Sequence, residues 1–373
     1  MSGRIRDYGV QVGSMRTGPG NRITDVPGVR VGHCTLDDGH VKTGVTAVLP
    51  HGGNLFQEKV LAVAHVINGF GKTAGTIQIE ELGTIESPIL LTNTLSVGRV
   101  SDALVEYLLE QNPEIGVTTG TVNTVVCECN DGYLNEIRGL HVQREHVRAA
   151  LSSAATDFAE GAVGAGTGMS CYGLKGGIGS ASRLIELGGK EYTLGVLVLS
   201  NFGRQQDFML HGIPAGEIIA GMADAEGLPL SGMNDRLANA SPAALQEREK
   251  GSIIFILATD LPLSERQLKR VSKRCTVGLT RTGSFIGNGS GDVVIGFTTA
   301  NRVRHEETEA VVTLQMLNEN EIDLAFRASS EASEEAILNS MTAAKTTVGR
   351  DGHVRKGLSE YLAAVLAETQ ERA

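Results

Sequence analysis

The sequence predicts a single layered α/β domain. Strand-like and helix-like segments are mixed along the 373 residues, and this length is sufficient for a large core. Only residues 228–251, LPLSGMNDRLANASPAALQEREKG, resemble a linker, because they are polar, contain two prolines and lack clear periodicity. The strand that follows is too apolar to lie at a sheet edge. The linker is therefore predicted to lie inside the domain rather than between two domains.

Before this linker, short apolar runs are mixed with segments of helical periodicity. Ser101 is predicted to cap the first long helix, and Pro214 lies in the first turn of the last one, where its missing N–H does no harm. In chain order the predicted elements are strands at 45–52 and 87–94, a helix at 97–112, a strand at 121–128, a helix at 141–155, a strand at 193–203 and a helix at 214–227.

After the linker, residues 252–260 predict a strand that is buried on both faces. The run from Ile253 to Leu257 has no polar alternation and is rich in β-branched residues. Ser264 and Gln267 form a capping-box pattern that opens a helix. The inner face of that helix is predicted to carry Leu268, Val271, Cys275 and Leu279. The remaining predicted elements are a strand at 292–299, an element at 310–317 and a helix at 358–369.

Composition restricts the class of function. The formal net charge of −10, with no cluster of Lys and Arg interleaved with aromatic residues, argues against nucleic acid as a partner. The five cysteines are scattered and suggest reduced thiols. The N-terminus has no apolar signal region and no apolar run approaches 18 residues, so a cytoplasmic protein without a membrane partner is expected.

Several familiar motifs fail on inspection. GFGKT at 69–73 has Val66 where a phosphate loop needs its first glycine, and VGAGTGM has Met169 where a dinucleotide fingerprint needs its last one. The nine histidines show no metal-ligand spacing, and no serine lies in a G-x-S-x-G elbow. No metal or other cofactor is therefore expected.

The pair Gly251-Ser252 offers a different kind of chemistry. A serine hydroxyl can attack the carbonyl of the preceding peptide bond, which needs a small residue before it and a flexible segment leading in. Cleavage would leave Ser252 as a new N-terminus, whose α-amine has a pKa of about 8 and can act as a general base. Taken alone, the pair is better interpreted as a simple turn, in which Gly251 supplies backbone freedom and Ser252 satisfies a local hydrogen bond.

A resemblance supports the chemical interpretation. GSIIFILATDLPL and RTGSFIGNGSGDVVIGFTT, together with ECNDGYLNEIRG, GAGTGMSCYGLKGGIGSASR and LVLSNFG, resemble the DmpA or P1 family of aminopeptidases. The likeness extends from NRITDVPGVRVGHCT to TTVGRDG, in family order. It implies a four-layer αββα sandwich of the N-terminal-nucleophile type, in which the precursor cuts itself before the catalytic serine. Here the products would be 1–251 and 252–373, which together form one catalytic domain.

The resemblance also implies roles for particular residues. Ser252 would be the nucleophile, Ser290 would pass its proton and Asp292 would orient Ser290. Some relatives have glutamate in place of Asp292, so this chain has a shorter side chain at that position. Asn201 in LSNFG would stabilise the oxyanion.

For substrate binding, the resemblance points to the segment ECNDGY. Glu128 would hold the free amino group of the substrate. Asn130 replaces an aromatic residue of some relatives and is expected to alter the pocket, with Asp131 and Tyr133 as further candidates. The expected substrates are short peptides, amino-acid amides or esters, and an assembly of four αβ units is expected.

Two alternatives remain at this stage. One is an acyltransferase of the ornithine acetyltransferase type, which shares the fold but has threonine as its nucleophile. The other is an uncleaved relative without enzymatic activity.

Overall fold

The computed structural model describes residues 3–225 and 250–372. The predicted linker falls outside this part of the chain, apart from its last two residues. The strands, in chain order, are β1 (Arg30–Asp38), β2 (Val41–Leu49), β3 (Glu58–Gly69), β4 (Thr84–Ile85), β5 (Ile89–Asn93), β6 (Val125–Cys129), β7 (Ser170–Cys171), β8 (Leu174–Lys175), β9 (Gly177–Leu187), β10 (Lys190–Asn201), β11 (Lys250–Thr259), β12 (Gly289–Arg304), β13 (Thr347–Val348) and β14 (Val354–Arg355). The helices are α1 (Thr76–Leu82), α2 (Val97–Gln111), α3 (Arg144–Ser152), α4 (Ala215–Ala225), α5 (Glu265–Ser272), α6 (Cys275–Arg281), α7 (Ile322–Thr342) and α8 (Leu362–Arg372).

Two sheets form the centre of the fold. One has the order β1-β2-β5-β6 and the other the order β4-β3-β12-β11-β10-β9. Helices α2 and α3 pack against the outer face of the first sheet, and α5, α6 and α7 pack against that of the second. A third apolar cluster fills the space between the sheets. The predicted four-layer αββα sandwich is confirmed.

The strand β11 shows why its sequence lacks alternation. Ile253, Phe255 and Leu257 pack toward the helical layer, whereas Ile254 and Ile256 pack between the sheets. Both faces of the strand are therefore apolar. The predicted buried strand is confirmed at the position where the sequence places it.

The helix caps give a mixed result. The capping box of Ser264 and Gln267 forms as predicted and opens α5, but the helical run breaks into α5 and α6. The predicted cap at Ser101 is wrong, because α2 already begins at Val97, after a turn capped by Asn93. The hydroxyl of Ser101 instead lies 2.6 Å from that of Thr124.

The segment 310–317 does not form the predicted element. It has no regular secondary structure, and its apolar side chains are largely exposed, with Val311 at 84% and Met316 at 59%. The longest helix of the described residues, α7, was not predicted. Its sequence of alanine, serine and glutamate lacks an apolar stripe, yet most of the helix is buried against β9 and β10.

A buried ionic network pairs the two buried glutamates of α7, Glu331 and Glu335, with arginines. The guanidinium of Arg183 is fully buried and lies 2.7 Å from Glu335 and 3.1 Å from Glu331. Arg6 from the N-terminal segment also bonds to Glu335, at 2.6 Å. Burial alone would raise the pKa of Glu335, but the hydrogen bond from Arg6 and the charge of Arg183 hold this pKa below its usual value.

We expect the substitution Glu335→Gln to lower the free energy of unfolding by roughly 3 kcal/mol, because it removes the buried carboxylate that Arg183 and Arg6 share. Urea denaturation measures this change. The contribution of the wild-type carboxylate should be present at neutral pH and disappear as the pH falls below the usual glutamate range. Glu110→Gln, in an exposed pair with Arg148, is the control and should leave the midpoint unchanged. Equal midpoints for the two variants would contradict the assignment.

Candidate active site

Ser252 lies near the start of β11, between two neighbouring strands. It pairs with Asn201 of β10 on one side and with Gly291 of β12 on the other. The residue is only 5% exposed. Its Oγ donates a hydrogen bond to the carbonyl oxygen of Gly251 at 2.5 Å and accepts one from the N–H of Gly291 at 3.3 Å. The hydroxyl is thus held against the carbonyl group of its own preceding peptide bond.

Gly251 occupies a position that has no room for a side chain. A Cβ atom there would lie 2.5 Å from the carbonyl oxygen of Asn201 and 2.6 Å from the Cα of Phe202. Both contacts are with backbone and are far below van der Waals distance. Glycine at 251 therefore allows β11 to approach the end of β10.

Ser290 and Asp292 lie beside Ser252 on β12. Because β11 and β12 are parallel, their first residues meet at the same edge, and Gly251 pairs with Ser290. The hydroxyl of Ser290 donates to Oδ1 of Asp292 at 2.5 Å, and the same oxygen accepts the N–H of Ile253 at 3.1 Å. The shorter aspartate side chain therefore still reaches the serine. Both residues are 1% exposed and lie beneath the surface of the site.

Asn201 is the last residue of β10, and both the oxygen and the nitrogen of its side-chain amide form hydrogen bonds. Its Oδ1 accepts the N–H of Ser170, and its Nδ2 donates to the carbonyl of Asn130, each at 2.9 Å. An amide nitrogen carries two hydrogens, so a second donor is oriented by the same two contacts. This arrangement can present an N–H to a developing negative charge without reorganisation.

Glu128 lies on β6 and is 3% exposed. Its Oε1 accepts the N–H of Lys72 at 2.8 Å, and its Oε2 accepts the hydroxyl of Thr94. A Cβ on Gly71 would lie 3.6 Å from both Glu128 Oε1 and the Cα of Gly291. The carboxylate therefore lies next to the strand that flanks Ser252.

These groups share one cavity of about 660 Å³. This volume is within the usual range for a small-molecule site. Of the residues that the sequence singled out, those lining the cavity are Glu128, Asn130, Tyr133, Asn201, Gly251 and Ser252. A cavity of about 460 Å³ beside α7 contains none of them.

Asp131 lies deeper than the sequence suggests. It is fully buried, outside the lining of the cavity, and Asn135 donates to its Oδ1 at 3.0 Å. Burial raises the pKa of Asp131 to about 7 and lowers the pKa of the buried Lys175 to about 7. The ammonium group of Lys175 donates to the carbonyls of Gly166, Met169 and Gly176, and so fixes the glycine-rich segments behind Ser170.

Several residues of the site carry no strong sequence signal. Thr94 follows β5, and the parallel pairing of β5 with β6 brings it to Glu128. Ser170 directly follows the cluster VGAGTGM, so glycine density was the available clue. Lys72 contributes its backbone N–H to Glu128, and Arg355 lines the cavity from the distant C-terminal strand β14. No pattern of residue types identifies such contributions.

In the described ranges, no group of three or more His, Cys, Asp or Glu side chains is placed to hold a metal ion. Nor does any helix in these ranges have the length and apolar character needed to cross a membrane.

The comparisons with known proteins agree with one another. Residues 21–355 match the model of peptidase family S58. The chain is 40% identical over 360 residues to the beta-peptidyl aminopeptidase BapA of Sphingosinicella microcystinivorans, covering 94% of this chain and 88% of the relative. The PH0078 protein of Pyrococcus horikoshii OT3 has a TM-score of 0.89 at 50% identity, covering 98% of this chain and 99% of that one.

A further solved structure indicates the class. It is the L-aminopeptidase D-Ala-esterase/amidase of Ochrobactrum anthropi, a prototype for the serine aminopeptidases and a variant among the Ntn hydrolase fold. Its TM-score is 0.86 at 35% identity, and the match covers 99% of both chains.

The sandwich of two sheets and two helical layers, with these matches along nearly its whole length, defines a serine aminopeptidase of the N-terminal-nucleophile hydrolase fold. The family match covers most of the chain, and the identity to the curated relative is high. The chain belongs to peptidase family S58. The acyltransferase alternative is not favoured by any of these matches.

Proposed function

We propose that the chain cuts itself between Gly251 and Ser252 and that the freed Ser252 is the nucleophile of the aminopeptidase. The observation that carries this proposal is the 2.5 Å hydrogen bond from the Ser252 hydroxyl to the Gly251 carbonyl oxygen. A hydroxyl in this position needs little movement to attack the carbonyl carbon.

The self-cleavage proceeds in two steps. Oγ of Ser252 attacks the carbonyl carbon of Gly251, the bond to the nitrogen of Ser252 breaks, and that nitrogen takes up the proton that Oγ has lost. Water then hydrolyses the resulting ester, giving a carboxylate on Gly251 and a free amine and hydroxyl on Ser252. Ser290, bonded to Asp292, is the neighbouring group that can carry the proton before any free amine exists.

The peptidase reaction uses the same groups on an external carbonyl. The hydroxyl of Ser252 attacks the substrate carbonyl while the α-amine or Ser290 accepts the proton. The amide of Asn201 donates to the oxyanion, and the resulting acyl-enzyme on Ser252 is hydrolysed by water. Glu128 binds the protonated amino group of the substrate, which restricts the reaction to the N-terminal residue.

The substrates proposed are short peptides, amino-acid amides and esters. The names of the relatives support peptides built from β-amino acids as one class. We also propose one catalytic domain made of 1–251 and 252–373, and an assembly of four such units. The tetramer and the cytoplasmic location stay predictions based on sequence.

Replacing Ser252 with alanine should leave the chain whole, because no hydroxyl remains to attack the peptide bond. Intact mass measurement should then give a single species of 39.3 kDa. Wild-type protein should give two fragments, ending at Gly251 and beginning at Ser252. Ser152→Ala, at the end of α3, is the control and should be processed normally. An uncut wild-type chain that hydrolyses amides would contradict the proposal.

Replacing Asn201 with aspartate should lower kcat by about 10²–10³-fold, because the isosteric side chain loses its N–H donors. KM for an amino-acid amide should change little, since the donor acts mainly on the transition state. Steady-state kinetics on the processed enzyme measures both constants. An unchanged kcat would exclude Asn201 as the oxyanion donor.

Replacing Glu128 with glutamine should lower kcat/KM for amides with a free amino group by about tenfold to a hundredfold, the value of a charge-assisted hydrogen bond. Self-cleavage should proceed normally, because it involves no free substrate amine. The control is Glu110→Gln, which makes the same change on the exposed face of α2. Loss of processing in Glu128→Gln would assign the carboxylate to folding or to self-cleavage instead.

A further inference from the structure

The cavity contains a cationic group that the proposed reaction does not use. Arg355, on the short strand β14, lines the cavity together with Ser252 and Glu128. Its Nε donates to the hydroxyl of Ser170 at 3.2 Å. Its guanidinium carbon lies 3.6 Å from the centre of the Tyr133 ring, which in turn stacks on His353 at 4.5 Å. The planar head group is therefore held in a fixed orientation.

Contacts link Glu128 and Arg355 to different strands beside the nucleophile. Gly291, on one side of Ser252, is next to Glu128, because Gly71 brings them together. Asn201, on the other side, bonds to the backbone of Ser170, whose hydroxyl bonds to Arg355. A ligand bound at Ser252 would therefore have the carboxylate of Glu128 on its β12 side and the guanidinium of Arg355 on its β10 side.

Two other cations, Arg204 and Lys72, also line the cavity. Arg204 makes two hydrogen bonds to the carboxylate of Asp207. Lys72 is exposed, on the Glu128 side, with its ammonium 4.6 Å from the Phe70 ring. The contacts of Arg355 include the hydroxyl of Ser170, the backbone carbonyl of Val354 and the ring of Tyr133, and burial lowers the pKa of its guanidinium. A carboxylate from a ligand would form a charge-assisted bond to this group.

We propose that Arg355 binds the C-terminal carboxylate of the leaving amino acid, so that this aminopeptidase prefers dipeptides with a free carboxylate to the corresponding amides. The inference rests on the proposed function, in which Ser252 is the nucleophile and Glu128 holds the amine. A dipeptide carries its two charges about 7 Å apart in extended form, one on each side of the scissile bond. Each added residue moves the carboxylate about 3.5 Å further from the bond that is cut.

The test compares two substrates that differ only at the C-terminus. The wild-type enzyme is assayed with L-alanyl-L-alanine and β-alanyl-L-alanine and with their C-terminal amides. The dipeptide and amide that the wild type cleaves are then used as the substrate pair for the variants. In Arg355→Gln, KM for the free dipeptide should rise by about tenfold to a hundredfold, with kcat nearly unchanged and the amide affected less than twofold. Arg355→Lys keeps the positive charge but lacks the planar guanidinium, so its KM for the free dipeptide should lie between those of the wild type and Arg355→Gln.

Lys72→Gln serves as the matched control, because it removes one positive charge from the same cavity. It should leave the ratio of kcat/KM for dipeptide and amide as in the wild type. A larger change of this ratio in Lys72→Gln than in Arg355→Gln would overturn the assignment. So would an equal loss on both substrates in Arg355→Gln, which indicates a structural role, or no loss on either.

The outcome is separable from that of the proposed function. If the wild type cleaves the amide and Ser252→Ala does not, the nucleophile is established whatever Arg355 does. If the dipeptide-to-amide ratio then stays the same in Arg355→Gln, only the carboxylate site is refuted. If Ser252→Ala retains activity, the proposed function itself fails.

Discussion

The parallel pairing of β11 with β12 is the constraint on which the site depends. Parallel strands begin at the same edge of a sheet, so Ser252 meets Gly291 and lies next to Ser290 and Asp292, although about forty residues separate them in sequence. The pairing is fixed by burial, because β11 packs apolar side chains on both faces. A shift of one residue would exchange the two faces of the strand and disrupt both cores. The position of the hydroxyl is therefore fixed by the whole sandwich rather than by a local turn.

Around this hydroxyl, backbone approaches backbone unusually closely. A Cβ on Gly291 would lie 2.8 Å from the carbonyl oxygen of Phe70, and Gly251 is equally confined against Asn201. Such packing leaves the oxygen of Ser252 between a carbonyl and an N–H group, with few side chains intervening. The glycine clusters of the sequence thus have a physical role here, since only glycine allows strands and loops to approach to this distance.

The features that could be predicted from the sequence are those that a local residue pattern determines. The buried strand at 252–260 and the cap at Ser264 follow from uniform hydrophobicity and from capping chemistry, and both are present. The helix α7 could not be predicted in this way, because its buried Glu331 and Glu335 pair with Arg183 and its Asn339 bonds to the N-terminal segment. The opposite error occurs at 310–317, where apolar residues led to the prediction of a regular element but most of their side chains are exposed. The walls of the cavity come from distant parts of the chain, so Ser170 and Arg355 join the site only through the tertiary fold.

The proposed self-cleavage and the proposed peptidase reaction place different demands on one set of groups. In the uncut chain the nitrogen of Ser252 is an amide and cannot accept a proton, so the first reaction depends on Ser290 and Asp292. After cleavage the same nitrogen is an amine whose pKa is close to neutrality, and a second base lies beside the hydroxyl. The carbonyl of Gly251 lies where an external carbonyl must later bind, because both are attacked by the same oxygen. The first reaction therefore supplies the base for the second and frees the position that its substrate must occupy.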